Sequence, residues 1–301
     1  MSARSLAVTM GVSRRSAVKI IKNPVMALAP LSVPLFMFAA FAGAMTAVGK
    51  TPGFNYYNYT AFIFVFVLYQ AMVFVAIFTG IEMAGDFGQG FGDRMMLAAP
   101  QRLSILGGYL LFTLGRGLLS IAIVWGIALL TGMPVRGDAL EIVGLIVLAL
   151  MLGIATTLWA AGIALRARSI TAAALIFMSS FVVLFLTPDF VPRHLLTGWL
   201  KTAASINPLT PAVEAGRNFL AHKPAHVALA FGLMAGLVAV FTLWAIRGMK
   251  TAEQGPKTPR ARGPRARREA KAAAAGGHEA GAGRARGPAA RRARARARAR
   301  G

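Results

Sequence analysis

The sequence has no cysteine, which removes disulfides, thiolate metal centres and cysteine nucleophiles from consideration. Acidic residues are scarce: ten Asp and Glu stand against 33 Lys and Arg, a formal charge of +23. The four histidines, at 194, 222, 226 and 278, have no HExxH-type spacing, so no metal pattern is legible. A nucleotide fingerprint is missing too. Gly43 to Thr51 reads GAMTAVGKT, but five residues separate Gly43 from Gly49-Lys50 where a phosphate loop needs four, and no other Gly-Lys-Ser/Thr occurs. Within the apolar runs the polar interruptions are Gln70, Arg116, Trp125 and small hydroxyls, while Glu82, Asp138 and Glu141 fall at their ends. No buried acid–base pair is therefore expected to catalyse a reaction, no cofactor is implied, and no intramembrane carboxylate offers an ion-driven transporter its proton or sodium site.

Hydrophobic residues make up 56% of the 301, and the mean hydropathy is +0.61, more apolar surface than a soluble domain buries. A helix needs about 20 apolar residues to cross a hydrocarbon core. Six stretches reach or approach that length: Val25–Val48, Tyr59–Ile81, Ser104–Thr131, Leu140–Leu165, Ile170–Thr187 and Ala225–Ile246. Pro30 and Pro34 predict a bend in the first. Lys and Arg beside the spans set the orientation. Eleven (Arg4, Arg14, Arg15, Lys19, Lys22, Arg94, Arg102, Arg166, Arg168, Arg247, Lys250) fall on the side of both termini and six (Lys50, Arg136, Arg193, Lys201, Arg217, Lys223) on the other. Both termini are thus expected in the cytoplasm of a multi-pass cell-membrane protein. The expected class is all-α, with an amphipathic segment at 1–24, a six-span domain at 25–247 and a basic tail at 248–301.

Between the second and third spans lies GDFGQGFGDRMMLAAPQR, Gly85 to Arg102, on the cytoplasmic side. Met95–Ala99 after Asp93-Arg94 predicts a short interfacial helix that Pro100 stops. Gly85, Gly88, Gly90 and Gly92 ease a sharp re-entry of the chain. Asp93 and Arg94 are adjacent, point about 100° apart on a helix, and so are expected to be free to meet charges on a partner.

Glu82, Asp86, Gly90, Asp93, Arg94, Pro100 and Arg102 together resemble the cytoplasmic loop of type-2 ABC exporter permeases of the daunorubicin-resistance kind. RRSAVKIIKNP (Arg14 to Pro24) is similar to the basic amphipathic segment before their first span. INPLTPAVEAGRNFL (Ile206 to Leu220) is similar to the segment before their last, with PDFVP and GWLKTAASI upstream of it. The resemblance runs over roughly residues 10–250. It departs at Gly107-Gly108-Tyr109, where such permeases often have Gly-Arg; Gly115-Arg116 comes later.

The resemblance implies the membrane subunit of an ATP-driven exporter of an amphiphile (a drug, polyketide or lipid-like molecule), paired as a homodimer or heterodimer and driven by a dimer of separate cytoplasmic ABC ATPase subunits. The loop at Glu82–Arg102 would dock on the ATPase as a coupling helix, with Glu82, Asp86, Asp93, Arg94, Pro100 and Arg102 as its contacts, and an amphipathic helix over Ala7–Ile21 would lie beside it. The alternative is a non-transporting anchor for an ATPase.

Gln70 and Arg116 each fall about 18 Å from the cytoplasmic end of their spans, by helical rise. They are expected either to hydrogen-bond each other or to line the translocation path. Residues 188–224 hold two apolar pieces, Leu195–Ile206 and Thr210–Ala221, broken at Asn207-Pro208. They predict two short helices dipping into the outer leaflet, the second capped by Thr210 with Pro211 and carrying Glu214 and Arg217 one turn apart. Gly232 to Gly236, GLMAG, offers a close-packing surface within the subunit or between subunits. Residues 257–301 hold fifteen Lys/Arg and two Glu in low-complexity sequence that cannot build a core. Such a tail contacts anionic lipid, contacts RNA by charge alone, or has no selected role.

Overall fold

A computed structural model describes residues 3–45, 47–99 and 101–253, which are helical with connecting turns. Ten α-helices follow one another: α1 (Ala3–Lys22), α2 (Pro24–Ala44), α3 (Tyr59–Gly88), α4 (Phe91–Ala98), α5 (Leu103–Leu130), α6 (Ala139–Ala167), α7 (Ala172–Phe185), α8 (Gly198–Ile206), α9 (Thr210–Leu220) and α10 (Val227–Glu253). Pro100 and residues 254–301, with most of the basic tail, lie outside the described residues.

α3 is the centre of the bundle. Asn58 caps it, its side-chain oxygen accepting from the Ala61 amide at 3.0 Å, and almost every residue from Tyr59 to Ala84 is buried. Apolar side chains all round a helix leave it no water-facing side, so other helices surround it. α6 crosses it closely: a Cβ on Gly80 would come 2.3 Å from the Cβ of Ala160, so only glycine permits the approach. Asp138 and Glu141 begin α6 with reciprocal side-chain to backbone bonds of 2.8 and 2.9 Å, a capping box. α10 runs along α6, α5 packs on α3 and α6, and α2 packs on α3.

Five helices, α2 (from Val25), α3, α5, α6 and α10, are long and apolar enough to cross a membrane. The chain is therefore an all-α, polytopic membrane protein. The fifth expected span is shorter than its sequence run. α7 has 14 residues, about 21 Å at the helical rise, because the backbone leaves the helix at Leu186 before Pro188.

Three local expectations need correction. α3 does not end at Ile81 but continues through Glu82 and Asp86 to Gly88, so Gly85 and Gly88 are helical, and the turn is made at Gly90, whose φ of +76° suits glycine. Thr210 is not the cap of α9; Leu209 is, and the Thr210 hydroxyl donates to the Ala204 carbonyl at 2.6 Å. Gly232 and Gly236 meet no described atom within 4 Å of their Cβ positions, so the two glycines make no close helix approach among the described residues, and Met234 between them is what packs into the core.

Candidate functional site

α1 determines how the region around α4 is built. Ser5, Thr9, Val12 and Ser16 form one buried stripe at helical spacing, against α5. The Thr9 hydroxyl donates to the Ser104 carbonyl at 3.0 Å, and Gly108 leaves just enough room for Val12. Leu6, Met10, Val18 and Ile21 are exposed, so the apolar face of α1 points away from the protein, as on a helix lying at a membrane surface.

The basic residues of α1 reach the end of α3. Arg15 donates to both oxygens of Asp86, at 2.6 and 2.9 Å, a bidentate pair. Lys19 bridges Glu82 at 2.9 Å and Asp86 at 3.2 Å, Ser16 donates to Glu82 at 3.0 Å, and Tyr109 of α5 donates to Asp86 at 2.6 Å. The Arg15 guanidinium also lies 3.7 Å from the ring centroid of Phe91, the first residue of α4. Its hydrogen bonds to Asp86 hold the guanidinium above its ordinary pKa, so the latch stays charged. α1, the ends of α3 and α5, and the start of α4 are thus fastened together through Asp86.

α4 is a real helix, four residues longer at its start than the Met95–Ala99 run predicts, and it hangs between α3 and α5. The expected contact residues divide. Glu82 and Asp86 are taken up by α1. Asp93 is not free as expected but is paired with Arg168 of the α6–α7 turn. Arg102 pairs with Glu253 at the end of α10, 2.9 Å away. Arg94 is exposed and has no ion pair among the described residues, and beside it Leu97 is 89% exposed. The open face of α4 is therefore Arg94 and Leu97.

Gln70 and Arg116 do not meet. The Gln70 side chain is fully buried, with no hydrogen-bond partner among the described residues for either amide atom. Arg116 donates instead to the backbone carbonyls of Met26 and Ala27 on α2. The reason lies four residues on: Pro30 has no N–H to give the Met26 carbonyl, and Arg116 fills the gap.

At the opposite end of the bundle α9 is anchored by Arg217. Its guanidinium is buried, donates to the carbonyls of Phe62, Pro188 and Asp189 at 3.1, 2.7 and 2.9 Å, and stacks 3.5 Å from the Phe62 ring centroid. Glu214 does not pair with it but with Arg193, at 3.6 Å. Asn207 joins α7 to the hairpin: its amide nitrogen donates to the Val183 carbonyl at 2.7 Å and its oxygen accepts from the Leu209 amide at 3.0 Å, with Pro208 between. His222, after α9, is 2.7 Å from Glu141 on α6. That hydrogen bond raises the imidazole pKa.

Sequence reasoning missed the Ser5–Thr9–Val12–Ser16 stripe, although its spacing is readable, and the pairings Asp93–Arg168 and Glu141–His222, which no local signal announces.

Long apolar helices around a buried centre, with a short helix slung between two of them, make this a polytopic membrane protein. The ABC-2 type transporter family matches residues 8–220, and the chain belongs to that family, as a permease component without catalytic activity of its own. A daunorubicin resistance ABC transporter permease protein of Streptomyces coeruleorubidus is 27% identical over 181 residues. The alignment covers 58% of this chain and 63% of that relative, so the chain spans less than two thirds of its length.

Proposed function

We propose that the chain is the export permease that a separate cytoplasmic ABC ATPase drives, working as one half of a permease dimer. Its spans form the domain at 25–247, behind the surface helix at 1–24 and ahead of the tail at 248–301, whose basic residues favour anionic lipid. α7 and the α8–α9 hairpin together make the sixth crossing, with Asn207 and Arg217 fixing the hairpin. Both termini and α4 face the cytoplasm, which the Lys/Arg asymmetry supports. The substrate is an amphiphile. The apolar spans support that reading, and so does a relative named for resistance to daunorubicin.

One observation carries the proposal: α4 is tied to the α6–α7 turn by Asp93–Arg168 and to α1 by the Arg15–Phe91 contact, while Arg94 and Leu97 stay exposed. A helix fastened at Phe91 and Asp93 and bare at Arg94 and Leu97 transmits a push from a partner. Reversing the charge, Arg94→Glu, is expected to abolish ATP-dependent efflux and weaken co-purification of the ATPase while membrane abundance stays normal. Full efflux by Arg94→Glu would remove this arginine from the docking surface.

A further inference from the structure

α1 is turned the wrong way round for a helix on a water-facing surface. Ser5, Thr9 and Ser16 are buried against the protein, while Leu6, Met10, Val18 and Ile21 are exposed. Met10, Arg14, Val18 and Ile21 follow one another at steps of three and four residues, so a cation stands in the middle of the apolar outer stripe. Along that stripe runs a shallow groove lined by Gly11, Arg14, Arg15, Val18, Lys19 and Lys22. Gly11 brings no side chain to it, and no carboxylate lines it among the described residues.

The cations of the groove are not equivalent. Arg15 and Lys19 are held by Asp86 and Glu82 at the end of α3. Arg14 and Lys22 are exposed and have no ion pair among the described residues. They are eight residues apart, about 12 Å by helical rise, and Val18 lies one turn from each. Two long, flexible side chains close such a gap on one anion seated over Val18. The depth is fixed by the neighbouring helices. α2 begins at Pro24 and its apolar span at Val25, just beyond Lys22. Lys19 meets Glu82 near the end of α3, and Val12 packs on Gly108 near the start of α5. The groove therefore lies where three spans enter the hydrocarbon, at the level of the lipid phosphates.

We propose that this groove holds the phosphodiester headgroup of an anionic phospholipid, with Arg14 and Lys22 on the phosphate and the acyl chains against Met10, Val18 and Ile21. Charge selects the sign of the lipid: a zwitterionic headgroup carries its own cation and brings no net charge to the uncompensated pair. The apolar stripe selects a lipid over a soluble anion, since inorganic phosphate would leave Met10, Val18 and Ile21 uncovered. The same helix carries the Arg15–Asp86 latch, so an occupied groove fastens α1 to the membrane on one side while the latch fastens it to α3 on the other. Occupancy depends only on the chain's place in a membrane and not on the transport reading.

The test is photolabelling of the purified full-length chain in phosphatidylcholine nanodiscs. They carry a small, sub-saturating fraction of phosphatidylglycerol with a diazirine near the head of one acyl chain, and adducts are located by peptide mass spectrometry. Labelling is expected to concentrate on residues 10–25 and to fall about thirtyfold when Arg14→Gln and Lys22→Gln are combined, as two cations near a lipid surface imply. Val18→Glu, which puts a carboxylate in the groove and leaves both cations in place, should have the same effect. Arg14→Lys with Lys22→Arg should keep the labelling. Arg247→Gln with Lys250→Gln, which removes two other exposed cations, should leave it unchanged. Equal labelling of residues 10–25 by a phosphatidylcholine probe, or labelling there that both the double glutamine variant and Val18→Glu leave intact, would overturn the proposal. So would displacement of the probe by inorganic phosphate, which would make the groove a soluble-anion site, or by the purified ABC ATPase subunit, which would make it a protein interface.

Discussion

Arg217 shows how one buried side chain can tie α9 to two other places in the chain. Three carbonyls from two places in the chain converge on its guanidinium, and those of Pro188 and Asp189, outside any helix, accept no backbone hydrogen bond among the described residues. Leaving such a group unsatisfied costs about 1–3 kcal/mol. Arg217→Ala is therefore expected to destabilise the chain severely, read as a lowered melting temperature and poor recovery of monodisperse protein. Arg217→Lys should recover little, since one ammonium cannot reproduce the guanidinium fork. A variant as stable as the parent would show that the anchor is dispensable. His222 makes a pH-dependent contribution at the same end. Its pKa is raised in the fold by the hydrogen bond to Glu141, so the stabilisation is complete below the ordinary imidazole value of 6.5 and is lost as pH rises through the raised one. The difference in melting temperature between the parent and His222→Gln should shrink from about pH 5.5 to about pH 8.5. A difference independent of pH would exclude protonation as its source.

At the scale of elements, the latch between α1 and the end of α3 is the feature that most changes the reading of the cytoplasmic stretch. Asp86 accepts from Arg15, Lys19 and Tyr109, three residues on two other helices, so it is a junction rather than a surface charge. A double-mutant cycle tests this: Arg15→Gln and Asp86→Asn should each lower thermal stability, and the pair should lose less than the sum, by about 0.5–3 kcal/mol of coupling. Strict additivity would mean that the two do not share an interaction. Span positions were legible because an apolar run of twenty or more residues has few alternatives to a crossing helix. The short helix was legible from Met95-Met96-Leu97 and its proline. The pairings were not, because Arg15 and Asp86 are 71 residues apart and only the packing of α1 on α5 brings them together. The same holds for Arg116. Its proline-freed acceptor is written in the sequence as Pro30, but which helix supplies the donor is decided by tertiary structure.

For the whole molecule, the two ends of the bundle do different things. One carries α1, α4 and most of the basic residues. The other carries the hairpin sealed by Asn207, Arg217 and the His222–Glu141 pair. The proposed coupling would carry a push on the open face of α4 into α3, on which α4 packs, and into α1 through the Arg15–Phe91 contact. The central claim is that this open face, and no other apolar exposure on the molecule, meets the ATPase. Leu97 and Leu130 make a matched pair for testing it: both are 89% exposed, but Leu97 is on α4 and Leu130 is at the opposite end of α5. The chain has no cysteine to interfere. Single cysteines at these two positions, in membranes co-expressing the ABC ATPase subunit, would be treated with a short thiol-to-amine cross-linker. The account predicts an ATPase adduct from Leu97→Cys and none from Leu130→Cys. An adduct from Leu130→Cys, or none from Leu97→Cys while the ATPase still co-purifies with the chain, would contradict it.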